Sequence, residues 1–97
     1  MKAVMIVYNH GMTEEIDELL QRLNIRGFTR FLNVHGQGSE NGEPHLGSHI
    51  WPSQNGVVIT IIKDELVDNL LENIKAIDKE AEEQGLHAFV FPIEKMI

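Results

Sequence analysis

One polar stretch, Val34 to Gly56, divides this chain into two halves of the same layout, and that division constrains the fold more than any other feature. The stretch holds five glycines, Pro44 and Pro52, three of the five histidines, and the single tryptophan, Trp51. Before it, Lys2–Tyr8 is a nearly continuous apolar run with β-branched Val4, Ile6 and Val7, which predicts a strand buried on both faces. Ile16, Leu19, Leu20 and Leu23 then fall on one helical face, with Thr13 as the expected N-cap and Asn24 and Gly27 as the expected stop. Phe28–His35 alternates. Phe28, Arg30, Leu32 and Val34 share one face and Thr29, Phe31, Asn33 and His35 the other, as in a strand.

After the polar stretch the layout repeats. Val57–Ile62 is apolar and β-branched. Asp64 is placed to cap a helix over about Glu65–Glu83, with an apolar stripe of Leu66, Leu70, Ile74, Ile77 and Ala81, widened by Val67 and Leu71. Gly85 is its expected stop. Leu86–Phe91 reads as a fourth strand closed by Pro92, and Ile93–Ile97 as a short extra strand or a tail. The order β-α-β-β-α-β predicts an α+β, ferredoxin-like domain over residues 1–97, with an antiparallel four-stranded sheet and a long loop between strands 2 and 3. Two helices cover only one face of such a sheet. Both faces of Val57–Ile62 are apolar, so a second or third copy is expected to cover the other.

Composition narrows the function classes. The formal charge of −7 lacks the basic footprint of a nucleic-acid binder. No apolar run approaches about 18 residues, so membrane insertion is not expected. There are no cysteines, which rules out disulfides and thiolate metal sites and fits a reducing, cytoplasmic setting.

Tracing the strands through this topology places all five histidines, His10, His35, His45, His49 and His87, toward one end of the molecule. Neutral imidazole is a common ligand of divalent transition metals. His45 and His49 are four apart in the loop and His35 stands at its base, so these three are the candidate metal ligands, with Glu43 or water completing the shell. The opposing reading is that loops lie at ends and histidine is polar, so the histidines are simply solvated. Gly36 and Gly38 form G-x-G after a strand but no helix follows, so a dinucleotide fingerprint fails, while a backbone nest for an anion remains open.

In order along the chain, several motifs resemble the PII signalling family (nitrogen regulatory protein P-II) and its PII-like relatives. Gly27-Phe28-Thr29 is similar to that family's Gly-Met/Phe-Thr, and Val34-His35-Gly36-Gln37-Gly38 to its Val-x-Gly-x-Gly. Residues 36–56 correspond to its T-loop, Val57–Ile77 to its third strand and second helix, and Phe89-Val90-Phe91 to its fourth strand. The resemblance implies a non-enzymatic homotrimer with sheets facing inward. It also implies adenine nucleotide in clefts between subunits near Gly27, Thr29, Gly36, Gln37 and Gly38, and a loop that docks on a protein partner such as a membrane transporter.

The chain departs from the family's pattern in two places. The phosphate-binding loop before strand 4 is here only Gln84-Gly85-Leu86-His87, and the C-terminal arginines are replaced by a tail with Lys95 alone. The charge match to ATP is therefore poor, and the expected ligand moves toward a metal ion or an uncharged or cationic small molecule. The alternatives are a metal-binding trimer similar to the CutA proteins and a small hydrolase of the acylphosphatase kind. The latter lacks the arginine expected in the turn Asn9-His10-Gly11-Met12.

Overall fold

The computed structural model describes residues 1–36, 54–80 and 85–97. Four strands, β1 (Lys2–Asn9), β2 (Thr29–Val34), β3 (Asn55–Ile62) and β4 (His87–Pro92), and two helices, α1 (Thr13–Arg22) and α2 (Asp64–Glu80), follow one another in the βαββαβ order. The strands form one sheet in the order β2-β3-β1-β4, every neighbour antiparallel. The central pair runs in unbroken register from Lys2 opposite Ile62 to Asn9 opposite Asn55.

Alternation in β1 and β3 sorts their residues between two environments. Val4, Ile6 and Tyr8, with Val58, Thr60 and Ile62, face the helices and are buried. They pack with Met12, Ile16, Leu19, Leu20 and Ile25 from the α1 region, with Val67, Leu70 and Ile74 of α2, and with Leu86. Their odd-numbered neighbours form the other face. There Phe31, Phe89 and Phe91 are about half exposed, at 50%, 48% and 48%, beside partly exposed Met5, Val7, Val57 and Ile59.

Local chemistry corrects several expected boundaries. Thr13 does not cap α1. A 3-10 turn, His10–Met12, precedes the helix, and Asn9 caps that turn by accepting the Gly11 N–H at 2.9 Å. The Thr13 hydroxyl donates back to the His10 carbonyl at 2.6 Å. Asn24 stops α1 in the left-handed region, φ 59°. The Ile25 N–H reaches the Leu20 carbonyl and the Asn24 N–H the Gln21 carbonyl, the paired bonds of a Schellman motif, closed by the buried Leu20 and Ile25.

In α2 the buried seam is Val67, Leu70 and Ile74, and Leu66 is exposed. Asp64 is the helix's first residue, and its carboxylate pairs with the N-terminal ammonium at 2.9 Å. That ammonium, first by hydrogen bonding and then by charge, lowers the Asp64 pKa below the usual carboxylate value. The tail after Pro92 forms no further strand; its Ile93 N–H returns to the Met1 carbonyl at 3.3 Å. Among the described residues no helix is long and apolar enough to cross a membrane.

Candidate functional site

The end of the sheet from which the chain leaves for residues 37–53 is built from side-chain amides. β1 ends at Asn9 and β3 begins at Asn55; the two are register partners and nearly buried, at 9% and 8% exposure. The Asn9 side-chain oxygen is committed to the Gly11 amide. The His10 N–H donates to the Gln54 carbonyl at 2.7 Å, which extends the β1–β3 pairing past the strand ends. Gln54 Oε1 is buried and has no hydrogen-bond partner among the described residues. A buried acceptor left unpaired costs about 1–3 kcal/mol, so the position favours an incoming donor.

Gly36 lies against this group. A Cβ added there would collide with Asn55 Nδ2, so glycine lets the backbone approach the amide pair. Gly56 meets a similar requirement one layer below, where a Cβ would lie 2.6 Å from Cζ of Tyr8. The Tyr8 ring is fully buried, and its hydroxyl accepts from Arg30 Nε at 2.8 Å. Arg30 also pairs with Asp17 and stacks over the Phe28 ring, 5.2 Å from its centroid. Burial alone would lower the Arg30 pKa, but the hydrogen bonds to Asp17 and Tyr8 outweigh it and raise the value above the ordinary one. This chain of contacts ties β2, β1 and α1 together directly under the loop base.

The candidate ligand residues fall into two groups. Gly36 joins the amide cluster. Gly27 and Thr29 stand at the opposite end of the β2–β3 pair, with Thr29 opposite Ile59. Ile59 is four residues from Asn55, or about 13 Å along a strand. The Gly27 carbonyl accepts from the buried Thr60 hydroxyl at 2.6 Å, while a Cβ added at Gly27 would meet nothing within 4 Å. The backbone there is pinned, yet its surroundings are open. Gln37 and Gly38 lie outside the described residues.

The three described histidines share one end, as the topology predicts. His10 follows β1, His35 follows β2, and His87 pairs with Val7. They do not converge. His35 follows one outer strand and His87 opens the other, and those strands are three strand spacings or about 14 Å apart; the His87 ring lies 6.4 Å from that of Phe89. Among the described residues no group of three His, Asp or Glu side chains is placed to hold a metal ion. His45, His49 and Glu43 lie outside the described residues, so the loop part of the metal expectation does too.

Sequence reasoning missed Asn9, Gln54 and Asn55. The signal was present: Asn9 follows the first apolar run and Asn55 precedes Val57–Ile62, and in this topology those two strand ends must be neighbours. Among the described residues the loop base is lined by side-chain amides and holds no Lys, Arg, Asp or Glu. The sequence contains no lysine or arginine between Arg30 and Lys63, so this half suits a planar hydrogen-bonding group better than a polyphosphate.

A family model described as Nitrogen regulatory protein P-II matches residues 1–97. No curated protein sequence matches. Among solved structures, CPII from Thiomonas intermedia K12 bound to ADP and bicarbonate is 26% identical. Its TM-score is 0.77, and the match covers 95% of this chain and 84% of that one. CPII bound to ADP, AMP and acetate is 25% identical with a TM-score of 0.75 and the same coverage. A PII-like signaling protein from Thermus thermophilus shares the fold at 22% identity and a TM-score of 0.64, over 92% of this chain and 82% of that one.

Proposed function

The chain belongs to the nitrogen regulatory protein P-II family, whose members are typically trimers that bind protein partners, and from that premise we propose a non-enzymatic, homotrimeric regulator. It takes an adenine nucleotide in a cleft between two copies and signals through residues 36–56 to a protein partner such as a transporter. The observation that carries this reading is the division of the ligand residues. Gly36 with the amide cluster and Gly27 with Thr29 are about 13 Å apart along one chain, and a compact site using both would draw one group from a neighbouring copy. Gln37 and Gly38 complete the first group.

The open apolar face supplies the association energy. At about 25 cal/mol per Å² of apolar area removed from water, a face carrying three half-exposed phenylalanines favours assembly. Nucleotide as the ligand class rests on the CPII structures, which hold ADP and AMP. The described part of the loop base holds no Lys or Arg, which favours fewer phosphates. Arg26 of the neighbouring copy, exposed beside Gly27, is the cation that would meet them.

Calorimetry with AMP, ADP and ATP tests this, alongside native mass spectrometry. The expected result is a trimer that binds AMP or ADP more tightly than ATP, with affinity falling roughly tenfold or more in Arg26→Ala, as loss of a charge-assisted contact implies. A monomer, or a trimer indifferent to all three nucleotides, contradicts the proposal. A second reading keeps a divalent transition metal at His35, His45 and His49, with the exposed His35 as its described member. Zinc or copper affinity unchanged in His45→Ala/His49→Ala would remove it.

A further inference from the structure

The upper part of β2 carries one residue more than its partner strand. Phe31 pairs with Val57 and Val34 with Asn55, so β2 advances three residues while β3 advances two. This is a β-bulge, and Asn33 within it has φ 58°. Asparagine enters the left-handed region at little cost, whereas a β-branched residue there is an outlier.

The bulge changes which residues reach the loop base. Register partners in an antiparallel pair project to the same face. Thr29 and Phe31, opposite Ile59 and Val57, therefore stand on the open face. Strict alternation would next send Asn33 and His35 to that face and Val34 toward the helices. The extra residue reverses this. Val34 pairs with Asn55 on the open face, His35 turns away, and Gly36 arrives against the Asn55 side chain, where a Cβ would collide.

Sliding cannot absorb the mismatch lower in the strand. Arg30 is held by Tyr8 and Asp17, and the Gly27 carbonyl by Thr60. The adjustment is confined to the residues between Phe31 and Val34.

We propose that Asn33 is a positioning residue: its left-handed conformation absorbs one surplus residue, so that Gly36 rather than His35 is delivered to the Asn9–Asn55 amide pair. Only the ligand-binding arm of the test rests on the proposed nucleotide site; the register arm stands apart from it.

The test compares Asn33→Val, Asn33→Gly and deletion of Asn33 in the full chain, by cross-strand NOEs and by ADP affinity. Asn33→Gly keeps both pairings. Deletion removes the surplus without changing phase, so Val34 stays opposite Asn55 and ADP affinity stays within about twofold of wild type. Asn33→Val keeps Phe31 opposite Val57 but loses the Val34–Asn55 contacts, with a tenfold or greater loss of ADP affinity. Asn33→Val with intact Val34–Asn55 contacts overturns the proposal, as does a deletion variant that loses them. If Asn33→Val does not fold, the deletion variant still decides. If wild type binds no ADP, the nucleotide reading fails while the NOEs still decide the role of Asn33.

Discussion

The two faces of this sheet have similar apolar content and opposite situations. On the helix side Val4, Ile6, Tyr8 and Val58 are fully buried within one chain. On the other side Phe31, Phe89 and Phe91 remain about half exposed, and no element among the described residues lies over them. The difference separates two tasks that a strand pattern alone cannot distinguish. The covered face supplies the energy that folds one copy. The open face holds apolar area whose burial would release energy only if another copy covered it, as proposed above, and it borders the loop base.

That comparison can be broken most forcefully from the covered side. Ile6→Ala removes a fully buried side chain and is expected to cost about 2–5 kcal/mol, read as a lowered urea midpoint. A cost near zero would mean that the helix-side core does not carry the fold. Gly56→Ala comes next. Its Cβ would be driven into the Tyr8 ring, and overpacking of this kind costs about 1–3 kcal/mol. Because the Tyr8 hydroxyl accepts from Arg30, the same variant should also broaden the Arg30 side-chain NMR signals.

The open side should respond differently. Phe89→Ser is expected to change the stability of the isolated copy by only about 0.5 kcal/mol, yet shift the assembly toward monomer in sedimentation. Equal effects of Phe89→Ser and Ile6→Ala on unfolding, with no change in mass, would erase the distinction between the faces.

The smallest effect concerns pH. Asp64 has a folded pKa below its unfolded value, held there by the N-terminal ammonium. The contribution is therefore present above the unfolded carboxylate pKa and fades as pH falls through the folded one. The carboxylate is exposed, so screening keeps the effect slight. Acetylating the N-terminus should abolish this part of the acid dependence.

Much of the fold was legible because period-2 and period-3.6 apolar patterns alternate cleanly along the chain. The open face was legible too, since two helices cannot cover both sides of Val57–Ile62. The bulge at Asn33 was not: alternation over Phe28–His35 reads as a regular strand, and the surplus residue appears only against the β3 register. The same is true of Leu66, which extends the apolar stripe in sequence yet lies beyond the seam set by Val67, Leu70 and Ile74. The amide cluster was overlooked because asparagine at a strand end usually means a turn. Its burial depends on two strand ends and Gly36 coming together, which no local pattern encodes.

The central claim is that one binding site is shared between two copies. The most direct test is complementation between two variants, with ADP as the probe. Gly27→Val keeps the fold, since the space around Gly27 is open, and removes the lower group. Gly36→Val crowds Asn55 and removes the upper one. Each variant alone should bind no ADP. After unfolding and co-refolding in equal amounts, random trimers should recover about a quarter of the wild-type binding capacity, because a site pairing the intact upper group of one copy with the intact lower group of its neighbour forms that often. A mixture that stays as inactive as its components would contradict the shared site and place both groups' contributions within one chain.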